Sequence, residues 1–389
     1  MPSRRVVVTG LGIVGPCGIG RDAFWQGLLG PAPEGDRLVH DFDPKVWLGP
    51  KEARRTDRFA QMAIGAAEMA LEQSGATGAD PDRSGVIMGT GVGGLETLED
   101  QIIVRFEKGE KRVSPFLVPM MMANAGAASL SMRFGWRGPC ETTVTACAAS
   151  THAIGNAARL IAMGICDAVM TGGSEASITP TALAGFGNMT ALSPDKQSKP
   201  FDKDRNGFVI AEGAAVLVLE ERDAAIARGA TILGEITGAA STADAHHITA
   251  PSPDGSGAVR AMELAIADAR LSPADIKQIN AHGTSTPLND AAEAEAITKV
   301  FGSPGPPVTS TKGVTGHALG AAGALEAAAV LLSFEHRQIP PTMGLVNLDP
   351  DITIDVVRGG PREWEPAPSL SNSFGFGGHN GCLVLSPAE

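Results

Sequence analysis

Tyrosine is absent from this chain, and aromatic residues make up only 4% of it. No phenol can therefore serve as acid, base or nucleophile in its chemistry. Paired cysteine is lacking too. Cys17, Cys140, Cys147, Cys166 and Cys382 contain no CxxC and no paired framework, which fits a reducing, cytoplasmic setting. Basic residues are in deficit: 31 lysines and arginines face 43 acidic residues, for a formal charge of −12. That argues against a nucleic acid as the main partner, although a local basic patch stays open. No uncharged apolar run reaches the roughly 18 residues of a membrane span, so no membrane contact is expected. Arg4 and Arg5 precede Val6–Val8 in the manner of a signal peptide. Gly10, Gly12, Gly15 and Pro16 break that stretch, and it reads as a first strand.

What the chain has in abundance is glycine, 48 residues in 389, which together with the alanines predicts closely packed layers and many tight turns. Charged residues at 19% and hydrophobic ones at 43% are ordinary for a globular protein. The length suits two domains or one duplicated unit. Strands are expected at Arg4–Thr9, Val86–Met88, Thr142–Thr145, Ala168–Thr171, Glu212–Glu220, Ile276–Ala281, Val308–Thr311 and Cys382–Leu385. Helices are expected at Asp57–Ser74, Arg222–Gly229, Gly257–Ala269, Asp290–Val300 and Ala318–Phe334. The alternation indicates an α/β fold, with a boundary near residue 229 dividing 1–229 from 230–389. Gly10–Gly15 matches GxGxxG, but the dinucleotide fingerprint needs a helix to open inside the motif. Here Pro16, Gly18 and Gly20 follow instead.

The chain is organised around Glu141–Gly164 and, within it, Cys147. A β-branched run, Thr142–Thr145, gives way at Ala148 to small residues with Ile154, Ala158 and Ile161 at helical spacing. Cys147 thus sits on a tight strand-to-helix turn kept uncrowded by Ala146, Ala148 and Ala149. The partial positive charge of a helix start is expected to favour thiolate over thiol. A buried cysteine acting as a small hydrophobe is the alternative. His282 follows an apolar strand and precedes a turn; His317 follows Gly316 and precedes an alanine-rich helix. Three such residues at strand ends suit a nucleophile with two proton or hydrogen-bond partners. None of them shares HxxxH or CxxC spacing, so no metal is expected. His246 and His247 read as a surface pair.

Four stretches in order carry a resemblance: TACAAS around Cys147, NAHGTSTPLND at Asn280–Asp290, STKGVTGHALGAAGALE at Ser310–Glu326 and NSFGFGGHN at Asn372–Asn380. With VVVTGLG near the start and FDKDRNGF in the middle, the chain is similar nearly end to end to the elongating β-ketoacyl-[acyl-carrier-protein] synthases. It resembles the type II group with two active-site histidines rather than the Cys-His-Asn initiating group; polyketide ketosynthases are near relatives.

The resemblance implies a thiolase-like, five-layered αβαβα sandwich of two similar halves, in a homodimer. It implies that Cys147 takes an acyl group from acyl-carrier protein. Malonyl-carrier protein then loses CO₂, and its carbanion attacks the acyl thioester, with no cofactor. His282 and His317 would stabilise the enolate, supported by Lys312 and Glu326. Backbone N–H groups of Cys147 and Phe376 would form the oxyanion hole. Thr284 and Thr286 match pantetheine-binding positions, and Val92, Phe186, Phe374 and Phe376 match the acyl pocket and its gate. Lys51, Arg54, Arg55, Lys111, Arg112 and Arg205 match the positions that dock the acidic carrier. Val92 stands where isoleucine is common and His379 where threonine is common. Three rivals differ in class: a nicotinamide oxidoreductase resting on Gly10–Gly15, a degradative thiolase using Cys382 as a second thiol, and a non-catalytic chain-length-factor-like subunit. Cys382 lies in an apolar strand and reads as core.

Overall fold

The computed structural model describes residues 4–388. Ten strands build the body of the molecule: β1 (Val6–Gly15), β2 (Ser84–Gly89), β3 (Cys140–Thr143), β4 (Ala168–Glu175), β5 (Gly213–Glu221), β6 (Gly234–Ala243), β7 (Gln278–Asn280), β8 (Val308–Thr309), β9 (Ser369–Gly375) and β10 (His379–Ser386). Their spatial order is β3-β2-β4-β5-β1-β6-β10-β9-β7-β8. Cut between β1 and β6, this order repeats itself. In each set of five the first strand in sequence is innermost, followed outward by the fifth, fourth, second and third. The directions repeat as well. β1–β5 and β5–β4 are antiparallel while β4–β2 and β2–β3 are parallel; β6–β10 and β10–β9 are antiparallel while β9–β7 and β7–β8 are parallel. Among the described residues, two strand-paired positions, Val7↔Glu235 and Val8↔Gly234, join the sets.

Six helices fill the layers: α1 (Arg58–Ser74), α2 (Ala125–Phe134), α3 (Ala149–Ala162), α4 (Ser256–Asp268), α5 (Pro287–Phe301) and α6 (Ala322–His336). Helices α3 and α6 lie between the two sheets. Their Ile154, Ile161, Leu325 and Leu331 share one core with Leu217 and Leu219 of the first sheet and Leu383 and Leu385 of the second. Helices α1 and α2 cover the outer face of the first sheet through Val216 and Val218, and α4 and α5 cover the second through Cys382 and Val384. Alternate residues of one strand thus enter different cores, as the period of two demands. Strands buried on both faces read as continuous apolar runs, which explains AAVLVL in β5. The result is the five-layered αβαβα sandwich.

Three sequence expectations shift. β1 continues through Gly15 instead of stopping at Thr9, so GxGxxG lies inside a buried strand. Its glycines serve packing: a Cβ at Gly10 would meet the Ala70 carbonyl oxygen at 2.1 Å, and one at Gly12 the Ala66 oxygen at 1.8 Å. The backbone of α1 lies directly on β1. β6 had no strand signal because GEITGAASTA is mostly small residues. The last helix begins later than expected, at Ala322, after a single 3₁₀ turn at Leu319–Ala321.

Candidate active site

Cys147 lies between the end of β3 and the start of α3, in a 3₁₀ turn at Ala146–Ala148. Ala146 carries φ +48°, in the left-handed region that non-glycine residues rarely occupy. This sharp reversal presents the sulfur at the head of the helix. Gly375 lies against the turn: a Cβ there would stand 3.0 Å from the Cys147 nitrogen.

His317 arrives from the second set of strands. It follows the left-handed Gly316 (φ +65°), and its backbone pairs with a separate segment, His317 N–H donating to the Val209 carbonyl at 2.7 Å and Ala211 N–H to the His317 carbonyl at 3.0 Å. Its Nε2 lies 3.0 Å from Cys147 Sγ. Its Nδ1 is buried and without a partner. His282 follows β7, edge-on to His317 with ring centroids 5.3 Å apart. Sulfur and imidazole nitrogens of the three residues lie within 4.8 Å of one another.

Lys312 and Glu326 sit behind the histidines, both almost wholly buried and ion-paired. Lys312 Nζ donates to the His282 carbonyl at 2.6 Å and lies 3.4 Å from His282 Nδ1. An ammonium can only donate, so Nδ1 accepts and the His282 hydrogen is on Nε2. Burial, then the Lys312 charge, lowers the pKa of both histidines well below its ordinary value. Both rings are therefore neutral at pH 7.

Burial also pushes the Cys147 thiol up to about 11, against the opposing pull of Lys312 and of a hydrogen bond from Phe376 N–H. This corrects the thiolate expectation. Desolvation outweighs the helix-end field here, and the resting sulfur keeps its proton. The Phe376 contact places that backbone N–H at the sulfur, beside Cys147's own.

Around the triad lies a cavity of about 490 Å³, bordered by Val92, Phe186, Phe374, Phe376, Thr284 and Thr286. The Thr284 and Thr286 hydroxyls are 2.8 Å apart. Phe186 meets Phe208 edge-on, and Phe208 in turn meets His317 edge-on. Of the basic residues singled out, Lys51, Arg54, Arg55, Lys111 and Arg112 are exposed, with Arg55 stacked over Phe116 at 4.3 Å. Arg205 is not a surface residue. It is 8% exposed, pairs with Asp349 at 2.6 Å, faces Asp290 at 3.8 Å and donates to the Pro287 carbonyl. Its charge is consumed internally, and it leaves the docking set. Cys382 is fully buried in β10 and donates to Asn372 Oδ1 at 3.2 Å. His246 and His247 are exposed.

Sequence reasoning missed three buried carboxylates. Glu293 accepts the N–H groups of His282 and Gly283, each at 2.8 Å. Asp290 accepts those of Phe201 and Ser285. Glu175, at the end of β4, accepts from Gly91 and Gly320 N–H. Asp290 and Glu293 share a helical face with Ala294 and Ile297. Acidic residues on an apolar face were the available signal.

Residues 3–225 match the family described as Beta-ketoacyl synthase, N-terminal domain, and residues 233–346 match Beta-ketoacyl synthase, C-terminal domain. The 3-oxoacyl-[acyl-carrier-protein] synthase 2 of Synechocystis sp. is 45% identical, over 99% of this chain and 98% of its own. The solved ishigamide ketosynthase/chain length factor is 32% identical with a TM-score of 0.94, covering both chains fully. A type II PKS acyl-carrier protein in complex with its ketosynthase, bound to the hexaketide, is 31% identical with a TM-score of 0.91. It covers 99% of this chain and 100% of that one.

Proposed function

The chain belongs to the β-ketoacyl synthase family, and from that premise we propose that it elongates fatty acyl chains by decarboxylative condensation. One observation carries the assignment: a turn-borne thiol 3.0 Å from one neutral imidazole, with a second imidazole beside it whose hydrogen is on the pocket side. Cys147 attacks the thioester of an acyl-carrier protein as His317 Nε2 takes its proton. That proton passes to the leaving pantetheine sulfur. The oxyanion formed on the way is met by the backbone N–H groups of Cys147 and Phe376.

Malonyl-carrier protein then enters, its pantetheine arm held by Thr284 and Thr286. Loss of CO₂ places negative charge on the thioester oxygen. Nε2–H of His282 donates to it. No partner fixes the Nδ1 of His317, so once the sulfur is acylated that ring can carry its hydrogen on Nε2 and donate as well. The enolate carbon attacks the acyl carbon, the bond to Sγ breaks, and the released thiolate is reprotonated. The product is a β-ketoacyl thioester two carbons longer. Lys312 and Glu326 fix the His282 tautomer, and Val92, Phe186, Phe374 and Phe376 line and gate the acyl pocket. The chemistry calls for no metal or organic cofactor.

The carrier docks on Lys51, Arg54, Arg55, Lys111 and Arg112. A second copy pairs along the edge strand Cys140–Thr143, where Met132 on the helix packed beside it is 78% exposed and Val144 is 51% exposed. A cytoplasmic setting suits the free cysteines, and no described helix is long and apolar enough to cross a membrane.

Intact-mass analysis after incubation with acyl-carrier proteins of graded length tests the reading. The expected result is one acyl adduct on Cys147, discharged as the β-ketoacyl product when malonyl-carrier protein is added. An unmodified chain, or an adduct on another cysteine, overturns it. Preference for β-keto over saturated primers would favour a type II polyketide pathway, the context of one of the solved relatives.

A further inference from the structure

His317 lacks the third group that commonly orients a catalytic base, since its Nδ1 has no partner. Something else must hold the ring. Its backbone is clamped to Val209–Ala211, and that segment is held from the far side by Arg37. Arg37 N–H donates to the Ile210 carbonyl at 3.0 Å, and Glu212 N–H donates to the Arg37 carbonyl at 3.1 Å. Arg37 then folds back over the same loop. It is 2% exposed. Its Nε donates to the Val314 carbonyl at 3.1 Å, and its Nη1 donates to the Gly35 carbonyl. Its Cγ lies where a Cβ on Gly316 would stand, 2.6 Å away. Arg37 thus grips the residues before His317 by side chain and the strand beside it by backbone.

An arginine this deeply buried is costly unless its donors are used. Both bonds above run to carbonyl oxygens, and its NH2 nitrogen is buried without a partner. A cation retained there at such cost has a positioning role that packing alone does not explain. We propose that Arg37 is the positioning residue of His317: it fixes the Val314–His317 loop so that Nε2 meets Cys147 Sγ without any bond to Nδ1. This rests on the condensing reading above.

The test compares Arg37→Met, Arg37→Lys and a stability control, Val39→Ala, a buried residue of the same segment. Each is assayed for malonyl-carrier-protein decarboxylation and for the ¹³C-histidine NMR signals of His317 and His282. Displacing a reacting group by about 1 Å costs on the order of 10²-fold. Arg37→Met should lower kcat by about 10- to 100-fold with KM within twofold, and move the His317 signal while leaving His282 in place. Arg37→Lys should recover part of the rate. Val39→Ala should lower the melting temperature with kcat within twofold.

A wild-type kcat and an unmoved His317 signal in Arg37→Met would overturn the proposal, as would an equal kcat loss in Val39→Ala. If Arg37→Met does not fold, Arg37→Lys decides by the same two readouts. Failure of the condensing reading itself shows separately, as wild-type protein that decarboxylates nothing while the His317 signal still responds to Arg37.

Discussion

The two halves of this molecule share one strand plan and divide the chemistry between them. After the third strand and before the central helix, the first half places Cys147 and the second places Lys312 and His317. After the second strand, the first half has Gly91 and Val92 of the pocket wall where the second has His282. At the end of the fourth strand, Glu175 answers to Phe374 and Gly375, with Phe376 beyond. Equivalent positions face one cavity because the central helices α3 and α6 lie side by side between the sheets. The scaffold repeats geometry, and the residues at its strand ends carry no such repetition. The first half holds a thiol and the second half proton donors, so the complete condensation needs both.

The sharpest way to break that division is to remove the nucleophile. Cys147→Ala should abolish the acyl-enzyme adduct seen by intact mass, because no other described cysteine borders the cavity. Malonyl decarboxylation should survive, since its donors belong to the second half. An adduct that persists in the variant would place the nucleophile elsewhere.

The reciprocal change comes next in size. His282→Ala and His317→Ala should each slow decarboxylation by about 10²- to 10³-fold, the usual cost of one oxyanion donor. The halves predict an asymmetry: acyl transfer to Cys147 should suffer in His317→Ala, which removes the sulfur's hydrogen-bond partner, and much less in His282→Ala. Single-turnover acylation, measured apart from ¹⁴CO₂ release, separates the two. Equal acylation defects would mean that the histidines act as one unit.

How much of this was legible in the sequence follows from where information is local. Cys147, His282 and His317 each sit in a short motif at a strand end, so residue type and spacing within a few positions suffice. The duplication is not local. It lies in strand order, while β6 is too rich in glycine, alanine and threonine to signal a strand at all. Arg205 shows the converse error: a charge in a polar loop reads as surface, and only tertiary contact with Asp349 and Asp290 shows that it is buried. The Cys147 thiol misled for the same reason. A helix start is visible in sequence, whereas the burial that pushes the thiol to about 11 is a product of the tertiary fold.

That last point gives a smaller, graded test. Among the charges at the sulfur, Lys312 is the one that lowers the thiol, acting from the second half on the first. Removing it in Lys312→Met takes away a stabiliser of the thiolate, so the thiolate fraction at any given pH falls. The pH profile of Cys147 alkylation by iodoacetamide should move to higher pH and slow several-fold at pH 8. A profile that does not move would show that the two halves are electrostatically independent, and one that moves to lower pH would overturn the thiolate-stabilising role of Lys312.

The smallest expected effect concerns the outside of the first half, where the exposed basic residues Lys51, Arg54, Arg55, Lys111 and Arg112 lie. The chain as a whole carries −12, so an acidic carrier is repelled at long range and drawn only by a local patch. The Debye length of about 8 Å at physiological salt makes near charges outweigh distant ones. Lys111→Glu with Arg112→Glu should therefore raise KM several-fold for carrier-bound thioesters, mainly by slowing association. Turnover of small thioester mimics, which need no docking, should stay within twofold. Added salt should slow the wild type toward the variant. Equal losses on carrier-bound and free thioesters would locate the damage in the pocket, and the docking face would then lie on the second half.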